Sequence, residues 1–139
     1  MKGTLKHLFI KAAHKAPMVP VEEANAVSLK GLEGDVAFGK NRRQVLLIEQ
    51  ETLDEFDLTP GIVRENGVTE GLILAGLATG TRVQLGDVVL EVTMDCEPCP
   101  FMETIREGLE VAMDGRRGTL FRVVEGGILS VGSTVRILD

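Results

Sequence analysis

Arg82-Val83-Gln84-Leu85-Gly86-Asp87-Val88-Val89-Leu90-Glu91-Val92-Thr93 decides the fold. Two short runs rich in β-branched and aliphatic residues flank Gly86-Asp87, a two-residue link of the kind that closes a hairpin. The same rhythm repeats on both sides. Thr4 to Ile10 alternates Leu5, His7 and Phe9 with Lys6, Leu8 and Ile10, which predicts a strand buried in part on both faces. Val45 to Ile48 predicts another, Val21 to Leu29 a weaker one, and Leu72 to Leu74 a brief one. Thr119 to Val124 and Ser130 to Leu138, the latter interrupted at Gly132, complete the set, with Glu125-Gly126-Gly127 read as a turn.

Two segments break the pattern. Glu49 to Phe56 carries Leu53 and Phe56 at helical spacing among acids and stops at Pro60-Gly61, which predicts a short helix. Met102, Ile105, Leu109, Ala112 and Met113 follow the steps of one amphipathic helix ending near Gly115, the longest expected in the chain. Between Gly61 and Gly71, Arg64-Glu65-Asn66-Gly67 reads as a polar loop with a turn at Asn-Gly.

Composition agrees with a mainly β fold. The 139 residues include no Trp, no Tyr and five Phe, so a core must come from Val, Leu and Ile, and sixteen glycines punctuate the apolar runs. Such a chain is expected to form one domain over residues 1–139, a closed or partly closed β-barrel with one or two inserted helices. A net charge of −6 excludes general affinity for nucleic acid or an anionic membrane surface. The start of the chain, Met1 to Ile10, is interrupted by Lys2, Lys6 and His7, unlike a signal peptide, and no run reaches membrane-spanning length, which predicts a cytoplasmic protein.

Chemistry concentrates at Cys96-Glu97-Pro98-Cys99, the only two cysteines, set between a strand and a helix. A thiol at the first turn of a helix meets free N–H groups that favour the thiolate. Three uses follow: thiol–disulfide exchange, binding of a soft metal, or carriage of a sulfur atom as a persulfide. A thioredoxin-like site is disfavoured because about 90 β-rich residues precede the motif, whereas such folds carry it in an early βαβ unit. Structural zinc is disfavoured because only His7 and His14, at the other end of the chain, remain to complete a ligand set. Arg42, Arg43, Arg64, Arg116 and Arg117, all in loops or at element ends, are candidate anion holders. Glu33, Asp35 and Glu65 are loop carboxylates with no assigned proton-transfer role.

Taken in order, Gly31-Leu32-Glu33-Gly34-Asp35, Arg43-Gln44-Val45, Gly61 with Arg64-Glu65-Asn66, Gly80-Thr81-Arg82, Leu85-Gly86-Asp87 and Pro98-Cys99 make the chain resemble a MOSC domain, the domain at the C-terminus of molybdenum cofactor sulfurases. The resemblance runs from about Leu29 to Leu138. It implies a barrel similar to the β-barrel domain of pyruvate kinase. It also implies that Cys99, directly after proline, carries sulfur or ligates molybdenum of a pterin cofactor, with Cys96 an auxiliary thiol. By the same resemblance Arg43, Arg64 and Asn66 hold the cofactor's phosphate or pterin, and Asp35 belongs with them. Larger relatives reduce N-hydroxylated substrates with that cofactor, so reductase and sulfur-transferase activities are both implied. The implied partners are a molybdoenzyme or a pyridoxal phosphate-dependent cysteine desulfurase, pyridoxal phosphate entering only through that family-level association. Two alternatives stay open: a dithiol redox module using Cys96 and Cys99, and a structural domain in which Cys99 only packs.

Overall fold

In the computed structural model, which describes residues 2–138, the expected hairpin is present: β7 (Arg82–Leu85) and β8 (Val88–Asp95) run antiparallel with Leu85 opposite Val88. Met1 and Asp139, the ends of the range expected to form one domain, lie outside the described residues. The glycine at the hairpin turn, Gly86, takes the left-handed conformation at φ 59°.

From that hairpin the sheet grows both ways until it closes. β8 pairs with β9 (Thr119–Glu125), β9 with β5 (Val45–Glu49), and β5 with β6 (Gly67–Glu70). β6 pairs with β1 (Lys2–Ile10), β1 with β11 (Thr134–Ile137), and β11 returns to β7. The result is a closed barrel of seven strands. Only β5 and β6 are parallel within it, and parallel neighbours need a crossover, here supplied by helix α1 (Gln50–Glu55) and the loop after it. A two-residue strand β2 (Val19–Pro20) extends the end of β1. Outside the barrel a second sheet joins β3 (Glu23–Val27) to β4 (Gly31–Leu32) and to β10 (Gly127–Ser130).

Alternation along β5 shows why the wall is covered on both sides. Val45 and Leu47 point into the barrel with Leu5, Val83, Leu90, Phe121 and Val123, all essentially buried. Ile48 points outward, into a second cluster with Leu53, Val68, Met102, Leu109 and Met113, where the helices lie. Leu46 also points outward, beside Leu120 and Cys96 in a third, small cluster.

Several boundaries differ from expectation. The long helix is two short ones, α2 (Phe101–Ile105) and α3 (Leu109–Ala112), separated by an extended Arg106 and by Gly108 at φ 83°. Polar side chains enforce the break. The Arg106 guanidinium donates to the carbonyls of Phe56 (2.7 Å) and Asp57 (3.1 Å). The Glu103 carboxylate accepts from the backbone N–H of Gly108 (2.9 Å) and Glu110 (2.8 Å), and those bonds lower its pKa. Met102, Leu109 and Met113 still share the buried side, which is the part of the helical pattern that packing uses.

The brief strand expected at Leu72 to Leu74 is instead an irregular segment, its N–H groups at Leu74 and Ala75 taken by the Glu49 carboxylate at 2.9 Å each. The paired strand lies earlier, at β6, where a polar loop was expected. Asn66-Gly67 is accordingly no turn. Gly67 is small because a Cβ there would sit 2.6 Å from Leu47 Cδ2. Val21 to Leu29 shortens to β3, and Ser130 to Leu138 shortens to β11 after the expected interruption at Gly132; only Ser130 joins β10, which begins at Gly127 inside the expected turn. Among the described residues no helix is long and apolar enough to cross a membrane.

Candidate functional site

Leu46 and Leu120 face outward from the barrel wall and floor a cavity of about 160 Å³. Its sides come from segments distant in sequence: Lys11 at the end of β1, Asp35 to Lys40 after β4, Arg43 and Gln44 before β5, Arg64 and Asn66 before β6, Cys96 after β8, and Arg117 before β9. Strand pairing assembles them, since β5 neighbours both β6 and β9, and β9 neighbours β8. Of the expected site residues, Asp35, Arg43, Arg64, Asn66 and Cys96 therefore meet at one cavity. Cys99 does not line it. It is half-buried in the turn before α2, its carbonyl accepting from Met102 N–H at 2.9 Å.

Asn66 is the joint of the site. Its backbone N–H donates to the Leu46 carbonyl (2.8 Å) and its side-chain Oδ1 accepts from Leu46 N–H (2.9 Å), so one residue satisfies both polar groups of Leu46. Its Nδ2 donates to the Phe9 carbonyl and to Asp35 Oδ1, each at 3.2 Å. Asp35, buried to 6% exposure, also accepts from Lys11 N–H at 3.3 Å. Gln44 anchors the far wall: its Nε2 donates to the carbonyls of Leu29 and Lys40, and its Oε1 accepts from Val123 N–H at 2.9 Å. These contacts make Asn66, Asp35 and Gln44 a hydrogen-bonded frame, with little capacity left for a ligand.

The charged groups on that frame are mostly cations. Lys11, Lys40, Arg43, Arg64 and Arg117 line the cavity against the single carboxylate of Asp35, in a chain that is acidic as a whole. Arg64 sits at φ 63°, in the left-handed region that non-glycine residues enter at a cost. Its Nη1 donates to the Ala16 carbonyl at 2.8 Å, its guanidinium lies 5.8 Å from the centre of the Phe101 ring, and its buried Nη2 has no partner. Arg117 is only 6% exposed, and its Nε and Nη1 are likewise buried without a partner. Burial lowers the pKa of Lys11, and the fields of Arg64 and Arg117 lower it further. Three guanidinium nitrogens are thus buried without a partner beside a recess whose charged groups are mostly cations.

Glu65 lies behind this surface. It is fully buried, its Oε2 accepts from Gly61 N–H at 2.7 Å, and its Oε1 has no partner. Burial raises its pKa, and backbone hydrogen bonds, that from Gly61 first, together with the field of Arg117 oppose part of that rise.

Among the five arginines considered from sequence, the structure separates three groups. Arg117 is buried and Arg64 half-buried at the cavity, Arg43 reaches its rim, and Arg116 turns away to pair with Glu55 at 2.9 Å over the Phe56 ring. Arg42 is exposed and does not line the cavity. The cysteines also separate. Both thiols are free, Cys96 at 7% exposure against Leu46 and Leu120, with its N–H donating to the Gly118 carbonyl at 2.9 Å. The helix expected to begin at Cys99 starts at Phe101, capped by Pro100, so Cys99 precedes it rather than lying in its first turn. Among the described residues, no three His, Cys, Asp or Glu side chains converge as a metal-ligand group. Lys11 and Lys40 are cavity cations that the sequence did not single out, and Arg117 stood only among the five candidate anion holders.

Comparison with known proteins agrees with this architecture. The crystal structure of the YuaD protein from Bacillus subtilis superposes with a TM-score of 0.88 at 18% identity, over 97% of this chain and 94% of that one. YiiM from Geobacillus stearothermophilus gives 0.79 at 16% identity over 99% and 75% of the two chains, and YiiM from Escherichia coli 0.74 at 20% identity over 100% and 70%. At those identities the likeness establishes the fold. Among curated proteins, no sequence matches the chain. The MOSC domain model, however, matches residues 34–136, a span that holds Asp35, Arg64, Asn66, both cysteines and Arg117, and the chain belongs to the MOSC domain family.

Proposed function

We propose that this MOSC protein binds the phosphorylated pterin of a molybdenum cofactor at the cationic cavity and uses Cys99 to carry sulfur or ligate the metal. The family as a whole is associated with molybdenum cofactor binding. The observation that carries the reading for this chain is the set of buried, unpartnered nitrogens on Arg64 and Arg117. An oxyanion there satisfies them and offsets the excess of cations. The cavity has room for a phosphate-sized group, so a pterin would extend along the mouth, past Arg43. When bound, the cofactor supplies a redox-active metal with affinity for soft sulfur ligands.

The residues divide the work. Arg64 and Arg117 hold the anion, Lys11, Lys40 and Arg43 draw it in, and Asn66 and Asp35 fix the loops that carry these cations. Cys99, less buried than Cys96, is open to a donor or acceptor protein. That partner is a molybdoenzyme or a pyridoxal phosphate-dependent cysteine desulfurase, and pyridoxal phosphate enters through it alone. Whether the outcome is sulfur transfer or cofactor-dependent reduction follows from the partner and substrate.

A second reading has its own observation: Cys96 lines the cavity and Cys99 does not. Metal and pterin analysis of gently purified protein, with intact mass for added sulfur, tests both. The leading reading predicts molybdenum and pterin in the wild type, their loss in Arg117→Met, and loss of metal or persulfide in Cys99→Ala but not Cys96→Ala. The reverse pattern assigns the role to Cys96, equal losses favour a dithiol module, and retention of pterin by Arg117→Met refutes the anion site.

A further inference from the structure

Two buried groups of opposite charge, Arg117 in the cavity lining and Glu65 between the lining residues Arg64 and Asn66, are not paired. Glu65 Oε1 has no hydrogen-bond partner, and neither have Arg117 Nε and Nη1, yet no ion pair joins the two residues. Arg117 lines the cavity; Glu65 does not. An anion entering the recess therefore reaches Arg117 directly and competes with Glu65 for the same positive field.

We propose that the cavity takes up its oxyanion together with one proton, which comes from solvent and is received by Glu65. With the recess empty, a Glu65 carboxylate offsets the charge of Arg117. An oxyanion on Arg117 cancels part of the positive field that favours the Glu65 carboxylate, and the buried group takes a proton in response. The neutral carboxyl keeps its bond from Gly61 N–H through Oε2 and places the proton on Oε1, the oxygen with no donor to lose. Burial of Glu65, which already favours the neutral form, acts in the same direction. The inference rests on the anion-binding reading of the cavity and adds a pH-dependent regulation to it.

Other titratable groups face the same space. Lys11 and His14 line the cavity from the end of β1 and the loop after it, and Cys96 lines it from the end of β8. Asp35 faces it from the loop after β4, with Oδ1 accepting from Asn66. The test must therefore separate Glu65 from these four.

Sulfate is the probe, because it does not itself titrate between pH 5 and 8. Calorimetric titration of the whole protein in buffers of different ionisation enthalpy counts protons taken up per sulfate bound. The expected result is uptake approaching one proton within that range, with affinity falling by about tenfold per pH unit at its steepest. Glu65→Gln, close in shape and unable to ionise, is expected to bind sulfate with that uptake removed. Sulfate binding without proton uptake in the wild type overturns the linkage while leaving the anion site standing. Uptake that persists in Glu65→Gln also overturns it, in favour of Lys11, His14, Asp35 or Cys96. Absence of sulfate binding at every pH removes the anion reading itself. Where a folding defect prevents the measurement on Glu65→Gln, the same count on Lys11→Met, His14→Gln, Asp35→Asn and Cys96→Ala decides: uptake kept in all four supports Glu65, and uptake lost in any one of them overturns the proposal.

Discussion

Replacing Asn66 by alanine separates a residue that frames the cavity from one that touches a ligand. The change removes the acceptor of Leu46 N–H at 2.9 Å and the donor to the Phe9 carbonyl and Asp35 Oδ1, both at 3.2 Å. Asp35 Oδ1 keeps its bond from Lys11 N–H, and leaving each of the other two buried groups unsatisfied costs about 1–3 kcal/mol, so the fold is destabilised by about 2 kcal/mol at the low end. In a domain of this size that corresponds to a fall in Tm of about 4–8 °C. Thermal melts followed by circular dichroism at pH 4.5 and 7.5 check it, with Asn66→Asp as the second arm. Aspartate keeps an acceptor for Leu46 N–H, but its other oxygen then faces the Phe9 carbonyl and the Asp35 carboxylate, which are acceptors themselves. Its protonated form is the one that fits, so the pKa of residue 66 in that variant is raised in the folded state. The stability of Asn66→Asp relative to wild type is then highest at pH 4.5 and lost as pH rises. A fall of less than about 2 °C for Asn66→Ala, or equal deficits for Asn66→Asp at the two pH values, refutes the argument.

Glu65 gives a linkage of known sign: its folded-state pKa is raised by burial, so its contribution is fully present below the unfolded value and is lost as pH rises through the folded one. Glu65→Gln should accordingly gain Tm relative to wild type as pH goes from 5 to 8, and a constant difference across that range contradicts it. Gly118→Ala places a Cβ 2.9 Å from both Leu46 Cδ1 and the Leu47 carbonyl oxygen at φ 115°, and should cost about 2–3 kcal/mol in urea unfolding while displacing Arg117 and weakening sulfate binding. Gly115→Ala, with positive φ but open space around it, is the milder control. Iodoacetamide followed by peptide mass analysis should modify half-buried Cys99 before Cys96, and sulfate should slow only Cys96; protection of Cys99 instead would move it into the cavity.

The barrel was legible because its strands announce themselves twice, by β-branched alternation and by glycine at the turns. β7, β8, β5 and β9 lie where the apolar runs stand. β6 was hidden for a physical reason. Gly67-Val68-Thr69-Glu70 has little apolar content, and it pairs because β1 and β5 already supply edges on both sides. The Asn-Gly signal preceding it is real chemistry put to another use: Asn66 turns its amide onto Leu46 and Phe9, and Gly67 makes room for Leu47. The broken helix was hidden similarly, since Glu103 and Arg106 act through backbone groups and periodicity counts only apolar positions.

The site was legible in residue type and less so in rank. Asp35, Arg43, Arg64, Asn66 and Cys96 do converge, but sequence treats adjacent arginines alike, and only the fold distinguishes Arg116, paired with Glu55 at the surface, from Arg117, buried beside Cys96's strand end. Their difference follows from one residue. Gly118 approaches Leu46 and the Leu47 carbonyl so closely that no side chain fits, which pins the chain entering β9 against β5 and commits Arg117 to the interior. The preceding Arg116 is then left to the solvent side, where Glu55 of α1 meets it. A guanidinium forced into the interior without a partner is costly. The barrel bears that cost at a place where four other cations gather around it, and under the proposed reading a bound anion offsets it. Stability measured against sulfate concentration should therefore rise more steeply in wild type than in Arg117→Met, and equal slopes would mean that the buried arginine serves packing alone.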